Sequence, residues 1–153
     1  MTSNKIALHW QDLDAKRGDR HLVFTNGCFD FLHPGHVEML EEARSHGDRL
    51  CVAVNSDASV RRLKGSERPV NTLAARMRVL AGLGCVDHVT HFDQDTPLEL
   101  IQWLRPGILV KGGDYTLDTI VGASDVHGYG GRVLVIRYQD GYSTTSLLER
   151  IRK

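Results

Sequence analysis

Short apolar runs alternate along the chain with segments whose apolar residues recur every three or four positions. Each run is bounded by Gly, Asn, Pro or charged residues, which is typical of buried strands. The predicted strands cover residues 21–25, 49–54, 86–92, 108–110 and 132–137. Spacing such as that of Val37, Leu40 and Ala43 predicts helices between them. The predicted helices cover residues 34–46, 72–83, 96–104 and 144–152.

This alternation of strands and helices predicts an α/β fold, a doubly wound, Rossmann-like sheet of five parallel strands in a single domain. Residues 21–153 would form that domain. Residues 1–20 would be an N-terminal extension packed on it, with a short helix within 6–18. Residues 61–69 are rich in charge and contain a glycine, which predicts a solvated, mobile loop.

Composition narrows the class of protein without naming it. The chain has 153 residues, 41% hydrophobic and 25% charged, which suits one globular domain with a proper core. Its net charge of zero predicts no bulk attraction to nucleic acid or to a membrane. Three scattered cysteines without a C-x-x-C pair predict reduced thiols. Because no secretory signal or membrane-length apolar run is visible, we expect a cytoplasmic protein.

The stretch 23–36 carries the most specific chemistry. It predicts a strand, a turn at Asn26 and Gly27, and a helix beginning at Pro34, with His33 and His36 at the junction. The free N–H groups and the dipole of a helix start favour an anion. Two imidazoles three residues apart reach the same side of such a site. The stretch therefore predicts a phosphate pocket, whereas half of a zinc site lacks convincing further ligands.

Unusual polar clusters follow the predicted strands at 25–36, 55–57, 111–115 and 138–146. Ligands of doubly wound sheets bind beyond the carboxyl ends of the strands, so these clusters predict one nucleotide-sized site. Gly112 and Gly113 would let backbone approach a ligand, although Gly-Gly alone is more often a turn. Ser143 could simply cap a helix, but hydroxyls at all of 143–146 favour a second phosphate cradle. Neither a P-loop nor a G-x-G-x-x-G fingerprint is present.

The run 27–36, with its H-x-G-H at 33–36, resembles the signature of the nucleotidyltransferase superfamily that includes the cytidylyltransferases. Further segments look like the adenylyltransferase domain of the bacterial ADP-heptose synthases, and the likeness extends over about residues 21–152. These segments are 55–57, 63–65, 68–71, Arg76, 109–115 and 141–145.

The resemblance implies transfer of AMP from ATP to D-glycero-β-D-manno-heptose 1-phosphate, with release of pyrophosphate, in the synthesis of a lipopolysaccharide core precursor. Mg²⁺ would be carried by ATP, and no protein metal cage is expected, because Mg²⁺ keeps several waters and borrows phosphate oxygens. No sugar-kinase portion is present in the chain, so it looks like the stand-alone form. A homodimer or larger assembly is implied.

Residue roles follow as hypotheses. His33, His36 and Lys64 would be catalytic, with Lys64 closing over the substrates from its mobile loop. Besides the two histidines, the nucleotide would contact Thr25, Asn26, Gly27, Phe29, Lys111, Gly113, Asp114, Tyr115, Ser143, Thr144 and Thr145. The sugar phosphate would contact Asp30, Asn55, Lys64, Arg68 and Arg76, with Asp30 facing either this substrate or Mg²⁺.

Two departures from the related glycerol-phosphate enzymes affect this transfer of roles. Tyr138 stands where those relatives have an arginine, and Gly84 replaces an arginine before Cys85-Val86-Asp87. Two alternatives stay open. One is the same chemistry with CTP and a polyol or amino-alcohol phosphate, and the other is a nucleotide-binding sensor without turnover.

Overall fold

The computed structural model describes residues 2–138 and 141–153. Five strands form one sheet in the order β3-β2-β1-β4-β5, and every neighbouring pair is parallel. The strands are β1 (Leu22–Gly27), β2 (Arg49–Asn55), β3 (His88–Phe92), β4 (Ile108–Gly112) and β5 (Arg132–Ile136). The predicted five-stranded parallel sheet is therefore confirmed.

Helices lie between successive strands, and one more follows the last strand. They are α1 (Pro34–Ser45), α2 (Asp57–Lys64), α3 (Leu73–Ala81), α4 (Leu98–Leu104), α5 (Ala123–Gly128) and α6 (Thr144–Ile151). Single 3-10 turns occur at Thr2–Lys5, Trp10–Asp12 and Leu117–Thr119. Within residues 2–138 and 141–153, no helix has the length and apolar character needed to cross a membrane.

Two hydrophobic cores flank the sheet, because successive side chains of a strand point to opposite faces. In β2, Leu50, Val52 and Val54 pack with α1 and α3, whereas Cys51 and Ala53 pack with α4 and α5. Both faces are thus covered by helices, which explains why the strands are continuous apolar runs without alternation.

The strand order reverses at the centre of the sheet, where β1 lies between β2 and β4. From β1 the chain winds outward through β2 and β3, and then returns to the other side of β1 for β4 and β5. A crevice opens at such a reversal, beyond the carboxyl ends of the strands. The loops after β1 and β4 border it, so the topology places stretch 25–36 beside 111–115.

The first half of residues 61–69 is helical, so the predicted mobile loop was wrong there. Helix α2 ends at Lys64, and Ser56 caps its start by accepting a hydrogen bond from the Ser59 N–H at 3.1 Å. The pattern concealed this helix because only Ser59 and Val60 are buried in it. Basic residues in its last turn suit the negative end of the helix dipole. Lys64 therefore extends from a helix end.

The N-terminal segment borders the edge strand β3, and the short helix predicted within 6–18 is only one 3-10 turn. Ile6 pairs with Val89 of β3, and the Ala7 N–H donates to the Val89 carbonyl at 2.9 Å. Ala7 and Leu13 are buried in the core on the α4 and α5 side. The segment covers a sheet edge that would otherwise expose unpaired backbone groups. The boundary at residue 20 stays a prediction.

Candidate active site

A cleft of about 540 Å³ opens at the carboxyl ends of β1, β2 and β4. Most of the predicted site residues line it: Asn26, Gly27, Phe29, Asp30, His36, Asn55, Lys64, Arg68, Lys111, Gly113, Tyr115, Thr144 and Thr145. The predicted site residues outside that lining are Thr25, His33, Arg76, Asp114 and Ser143. Thr25 is wholly buried in β1, and Asp114 is exposed outside the cleft. The four sequence clusters thus converge on one site.

The two histidine rings lie against each other at the start of α1, tilted by 31°. Their ring centroids are 3.8 Å apart, and the His33 backbone N–H donates to His36 Nδ1 at 3.3 Å. Because Nδ1 of His36 accepts, its proton resides on Nε2, which is then a donor. A Cβ on Gly35 would lie 3.0 Å from the His33 ring, so the glycine between the histidines makes this close packing possible.

Both imidazoles are neutral at pH 7. Burial lowers the pKa of His33, and burial together with the nearby His33 lowers the pKa of His36 to about 4. His33 is 7% exposed, and its buried Nδ1 has no hydrogen-bond partner in the part of the chain that the structure describes. A neutral ring still donates one N–H. The pair can therefore donate hydrogen bonds to an anion without the free-energy cost of burying a charge.

Phe29 holds the other side of His36. Its ring centroid lies 5.5 Å from that of His36, and its backbone has a left-handed φ of 48°. Such a φ is strained for an aromatic residue and persists only where packing enforces it. A Cβ on Gly27 would approach the Phe29 ring to 3.0 Å. The strained turn after β1 thus fixes the position of the His36 imidazole.

Arg76 ties the loop after β1 to the end of β2 from below the cleft. Its guanidinium donates to the carbonyls of Cys28 at 2.7 Å, Asn55 at 2.8 Å and Asn71 at 3.0 Å. It also pairs with the Asp57 carboxylate at 2.8 Å, and its side chain is wholly buried. All of these partners are protein groups, so the structure gives Arg76 no open side toward a substrate.

The carboxylate of Asp30 is likewise bound by other groups of the protein. It accepts from Arg68 Nε at 2.7 Å and from the backbone N–H groups of Val70 at 2.9 Å and Asn71 at 2.8 Å. Burial alone would raise the pKa of Asp30, but these donors outweigh it and hold the pKa below the usual value of 3.8. The ionised Asp30 thereby anchors the segment after α2, and it orients Arg68 at the cleft wall.

Three cationic side chains line the cleft: Lys64 from α2, Arg68 from the following loop and Lys111 from β4. Burial, with a smaller contribution from Lys64, lowers the pKa of Lys111. Lys111 Nζ lies 5.2 Å from the centroid of the Tyr115 ring, which supports the cation from its face. Burial raises the pKa of the neighbouring Cys28 thiol, so no thiolate offsets this charge. Of the two carboxylates that also line the cleft, Asp30 pairs with Arg68 and Asp95 pairs with Arg62. Lys64 and Lys111 therefore leave the cleft cationic, which favours a polyphosphate.

The hydroxyls at the start of α6 divide between two tasks. Ser143 Oγ accepts from the Ser146 N–H at 3.0 Å, which makes it the ordinary helix cap. Thr144 and Thr145 line the cleft instead. The proposed phosphate cradle therefore has two hydroxyl-bearing candidates at a helix start, and Ser143 holds that start in shape.

Two tyrosines adjoin the histidines without having been assigned roles. The Tyr138 ring meets His36 edge-on at 5.9 Å, and the Tyr142 ring is stacked beside His33 at 6.1 Å. Sequence reasoning treated Tyr138 as a lost arginine, so its aromatic contact was missed. Gln139 and Asp140 of the predicted 138–146 cluster lie outside the described residues. Nothing in the structure explains Gly84 in place of an arginine.

The loops after β3 and β4 form a further wall of the cleft, which the sequence did not predict. Asp95, Thr96 and Pro97 line the cleft, as does the segment 119–121. By itself the sequence indicates only a helix start at Thr96-Pro97, and it predicts a loop or short helix over residues 116–127. Nothing in their local pattern reveals that the sheet brings them to the same cleft.

Three features occur together: the reversed strand order, the cationic cleft and the paired imidazoles at a helix start. They define an α/β domain of the class that binds nucleotides through their phosphates. Residues 24–150 match the cytidylyltransferase-like family, and the chain belongs to that family.

Relatives and solved structures agree with this assignment. The chain is 58% identical over 136 residues to the bifunctional protein HldE of Marinomonas sp. (strain MWYL1), and 54% identical over 153 residues to that of Nitrosococcus oceani. These alignments cover 89% and 100% of the chain. The chain spans only 29% and 32% of the length of those relatives.

Among solved structures, a lipopolysaccharide core biosynthesis protein from Thermoplasma volcanium superposes with a TM-score of 0.62 at 27% identity. That superposition covers 80% of this chain and 98% of the other. Pantothenate synthetase from Thermus thermophilus reaches the same TM-score at 16% identity, over 86% of this chain and 61% of the other. The latter likeness shows the shared fold alone.

Proposed function

We propose that this domain transfers AMP from ATP to D-glycero-β-D-manno-heptose 1-phosphate and releases pyrophosphate. The observation that carries the proposal is the pair of neutral imidazoles at a helix start, set in a cleft lined by three cations. The 54–60% identity to bifunctional HldE proteins favours the heptose substrate, as does the likeness to a lipopolysaccharide core biosynthesis protein.

The proposed chemistry is an in-line displacement at the α-phosphorus of ATP. A phosphate oxygen of the sugar 1-phosphate forms the new O–P bond while the bond to the β-phosphate oxygen breaks, and pyrophosphate leaves with that electron pair. The nucleophile is already an anion, so no general base is required. Rate enhancement then comes from positioning and from stabilising the charge on the transferring phosphoryl group.

The cleft suggests a division of labour. His36 donates to the α-phosphate and the leaving pyrophosphate, and His33 keeps its ring in place and adds a second donor. Lys111 and the hydroxyls of Thr144 and Thr145 hold the nucleotide phosphates. Lys64 contacts charge from the helix end, so its role no longer depends on a mobile loop.

Two sugar-side roles change with the geometry. Asp30 and Arg76 are engaged by protein groups, so we propose that both position the site without contacting substrate. Arg68 shares its guanidinium with Asp30 but lines the cleft, and it is the better candidate for the sugar phosphate. Asn55 lines the cleft too, although its amide N–H donates to Ser59 Oγ at 3.1 Å.

We expect Mg²⁺ to enter as part of the substrate, bound to ATP. Across residues 2–138 and 141–153, no group of three or more His, Cys, Asp or Glu side chains could hold a metal ion. Mg²⁺ is commonly held by phosphate oxygens, waters and one or two carboxylates. Asp95 lines the cleft and could supply one carboxylate, although it already pairs with Arg62 at 2.8 Å.

The deciding experiment measures pyrophosphate release from ATP with a panel of sugar 1-phosphates, heptose 1-phosphate first. We expect turnover with the heptose, ADP-heptose as the second product, and loss of both in His36→Ala. The control is His127→Ala, which removes an exposed imidazole from α5. Absence of turnover with every sugar phosphate in the wild-type protein would overturn the proposal.

A nucleotide panel addresses the nearest rival, the same chemistry with CTP and a polyol or amino-alcohol phosphate. The name of the matched family favours this rival. It requires faster turnover with CTP than with ATP, whereas our proposal requires the reverse. Any turnover excludes the second rival, a sensor that binds nucleotide without chemistry.

We also propose a homo-oligomer, a dimer or larger. Sedimentation equilibrium over a range of protein concentrations measures its mass directly. A single species at the monomer mass of 17.1 kDa would contradict this part of the proposal.

A further inference from the structure

A second concave site lies at the opposite end of the sheet from the cleft. It has a volume of about 320 Å³ and is bordered by the segments that precede β1, β4 and β5. Strands β1 and β4 run from this site, which we call the basic cavity, to the cleft at their carboxyl ends. The basic cavity therefore shares no residue with the proposed active site.

Among the described residues, the permanently charged side chains that line the basic cavity are all arginines. Arg20, Arg105 and Arg132 line it together with His21 and His46, and none of the described residues that line it is Asp or Glu. The chain as a whole carries equal numbers of acidic and basic residues, so this is a local concentration of charge. Arginine presents a planar fork of donors that matches phosphate oxygens in pairs.

None of these arginines is in an ion pair among the described residues, although Asp125 is close enough to Tyr129 to contribute to its raised pKa. Ion pairs within residues 2–138 and 141–153 involve other arginines and none of these three. The adjacent carboxylate of Asp19 accepts from the His21 backbone N–H at 2.9 Å and does not line the basic cavity. Unpaired cations that converge on one concavity favour an anion there.

Glycine backbone forms part of the wall of the basic cavity. A Cβ on Gly107 would lie 2.1 Å from the Arg20 carbonyl oxygen, and one on Gly131 would lie 2.6 Å from a Val126 methyl group, so both positions face the protein and admit no side chain. The segments before β4 and β5 thus pack their backbone directly against their neighbours. The wall is built by tertiary contacts and does not depend on a surface loop alone.

Tyr129 holds one of the arginines in place. Its hydroxyl donates to the Pro106 carbonyl at 2.7 Å, and the Arg105 guanidinium lies 4.8 Å from the centroid of its ring. Burial raises the pKa of Tyr129 to about 12, so the phenol stays neutral and adds no negative charge. Arg105 itself has a left-handed φ of 53° at the end of α4. A pre-positioned guanidinium loses less freedom when an anion binds.

From this geometry we infer that the basic cavity is a second binding site, for a small phosphate-bearing anion. Its volume falls at the lower end of the range of about 300–1,000 Å³ for small-ligand sites, which suits a phosphate, a pyrophosphate or a nucleoside diphosphate better than a larger molecule. The site is independent of the proposed reaction, because its residues take no part in the cleft.

Amide NMR of the full chain can observe the two sites separately. Pyrophosphate is added at constant ionic strength, with Gly107 and Gly131 reporting on the basic cavity and Gly113 on the cleft. We expect saturable shifts at the first two. In the double variant Arg105→Gln/Arg132→Gln the affinity at those positions should fall at least tenfold, while the Gly113 response persists.

The matched control is Arg78→Gln, which removes one exposed charge from α3, outside the basic cavity. It should leave both responses intact. If the double variant fails to fold, the single variant Arg132→Gln gives the same comparison. Parallel titrations with phosphate and ADP identify the anion that binds most tightly. No saturable shift at Gly107 and Gly131 with any of the three anions, or equal shifts in the arginine variant, would overturn the inference.

Discussion

At the scale of single residues, the site depends on neutral donors held in fixed positions. His36 receives a backbone N–H on Nδ1, lies beside the His33 ring and is flanked by Phe29. Each contact limits the rotation of the imidazole, so its remaining N–H has a fixed direction, as the proposed phosphate contact requires. Preorganised donors of this kind are the main source of transition-state stabilisation in phosphoryl transfer.

The first prediction concerns the two histidines. His33→Ala and His36→Ala should each lower kcat by about 100- to 1,000-fold, as removal of one transition-state donor does. The fold should be retained, because the hydrophobic cores do not include either ring. Steady-state pyrophosphate release and circular dichroism measure the two quantities, with His127→Ala as the control. A folded variant with nearly normal turnover would refute the assigned role.

A second prediction at this scale concerns Thr144. Thr144→Val keeps the side-chain volume and removes the hydroxyl, so it should raise the KM for ATP by about fivefold, since a hydrogen bond contributes about 1 kcal/mol. The KM for heptose 1-phosphate should stay unchanged. Kinetics with each substrate varied in turn makes the comparison, and Thr2→Val in the N-terminal 3-10 turn, outside the cleft, is the control. An effect on the sugar phosphate alone would reverse the assignment of the two half-sites.

At the scale of elements, buried charges join loops that are distant in sequence. Asp30, eight residues after the start of β1, binds the segment 68–71, and Arg76 of α3 binds the carbonyls at the ends of β1 and β2. Removing one partner of such a pair leaves the other charge buried and unpaired. These contacts stabilise the fold. Because they also shape the cleft wall, they hold the site in place as well.

The third prediction tests Asp30 through stability. Asp30→Asn should lower the free energy of unfolding at pH 7 by about 2–4 kcal/mol, because Arg68 loses its counter-charge and two backbone donors lose an ionised acceptor. Urea denaturation measures this, and Asp12→Asn, an exposed carboxylate, is the control. A loss below 0.5 kcal/mol, the usual size of a surface effect, would contradict it.

The same variant has a characteristic pH dependence. The pKa of Asp30 is lower in the folded than in the unfolded chain, so its contribution to stability is present above the unfolded value of 3.8. It is lost as the pH falls through the folded value. The gap in stability between wild type and Asp30→Asn should therefore narrow below pH 3.8. A gap that stays constant down to pH 2 would mean that folding does not lower the pKa of Asp30.

At the scale of the whole molecule, the N-terminal segment completes the sheet and one of its cores. Trp10 packs beside Trp103 of α4 with ring centroids 6.2 Å apart, and its Nε1–H donates to the His91 carbonyl at 2.8 Å. Arg17 lies over the Trp103 ring at 4.9 Å. The segment thereby links the edge strand β3 to α4, on the opposite side of the molecule from the histidines.

The fourth prediction is that Trp10→Ala separates stability from activity. Loss of the ring and its hydrogen bond should cost about 2–3 kcal/mol, less than a fully buried Trp because the side chain is only partly buried. Turnover at 25 °C should be unchanged, since the cleft does not include it. Leu8→Ala, 62% exposed, is the control and should change stability by under about 0.5 kcal/mol. Unaltered thermal unfolding in Trp10→Ala would show that the segment is dispensable.

The sequence by itself determined the sheet and the chemistry of its central motif. Buried strands in a parallel sheet are continuous apolar runs, and the helices between them show apolar residues at helical spacing. Both kinds of element can therefore be recognised in the sequence. Pro34, Gly35 and the two histidines likewise carry a local signal, because a helix start favours anions whatever surrounds it. Asn71 or Thr72, and Ser143, are indicated as helix caps for the same local reason, and the structure selects Thr72 and Ser143.

Only the tertiary structure decided which polar side chains remain available. Arg68 reaches the cleft, whereas Arg76 is fully hydrogen-bonded to backbone carbonyls and Asp57. The sequence cannot distinguish the two, because the difference depends on partners 19–48 residues away. Helix α2 was hidden for a related reason, since only two of its residues are buried. The basic cavity brings together segments from Arg20 to Arg132, and no local pattern records that they meet. Local periodicity encodes elements, whereas the pairing of charges is fixed by contacts between them.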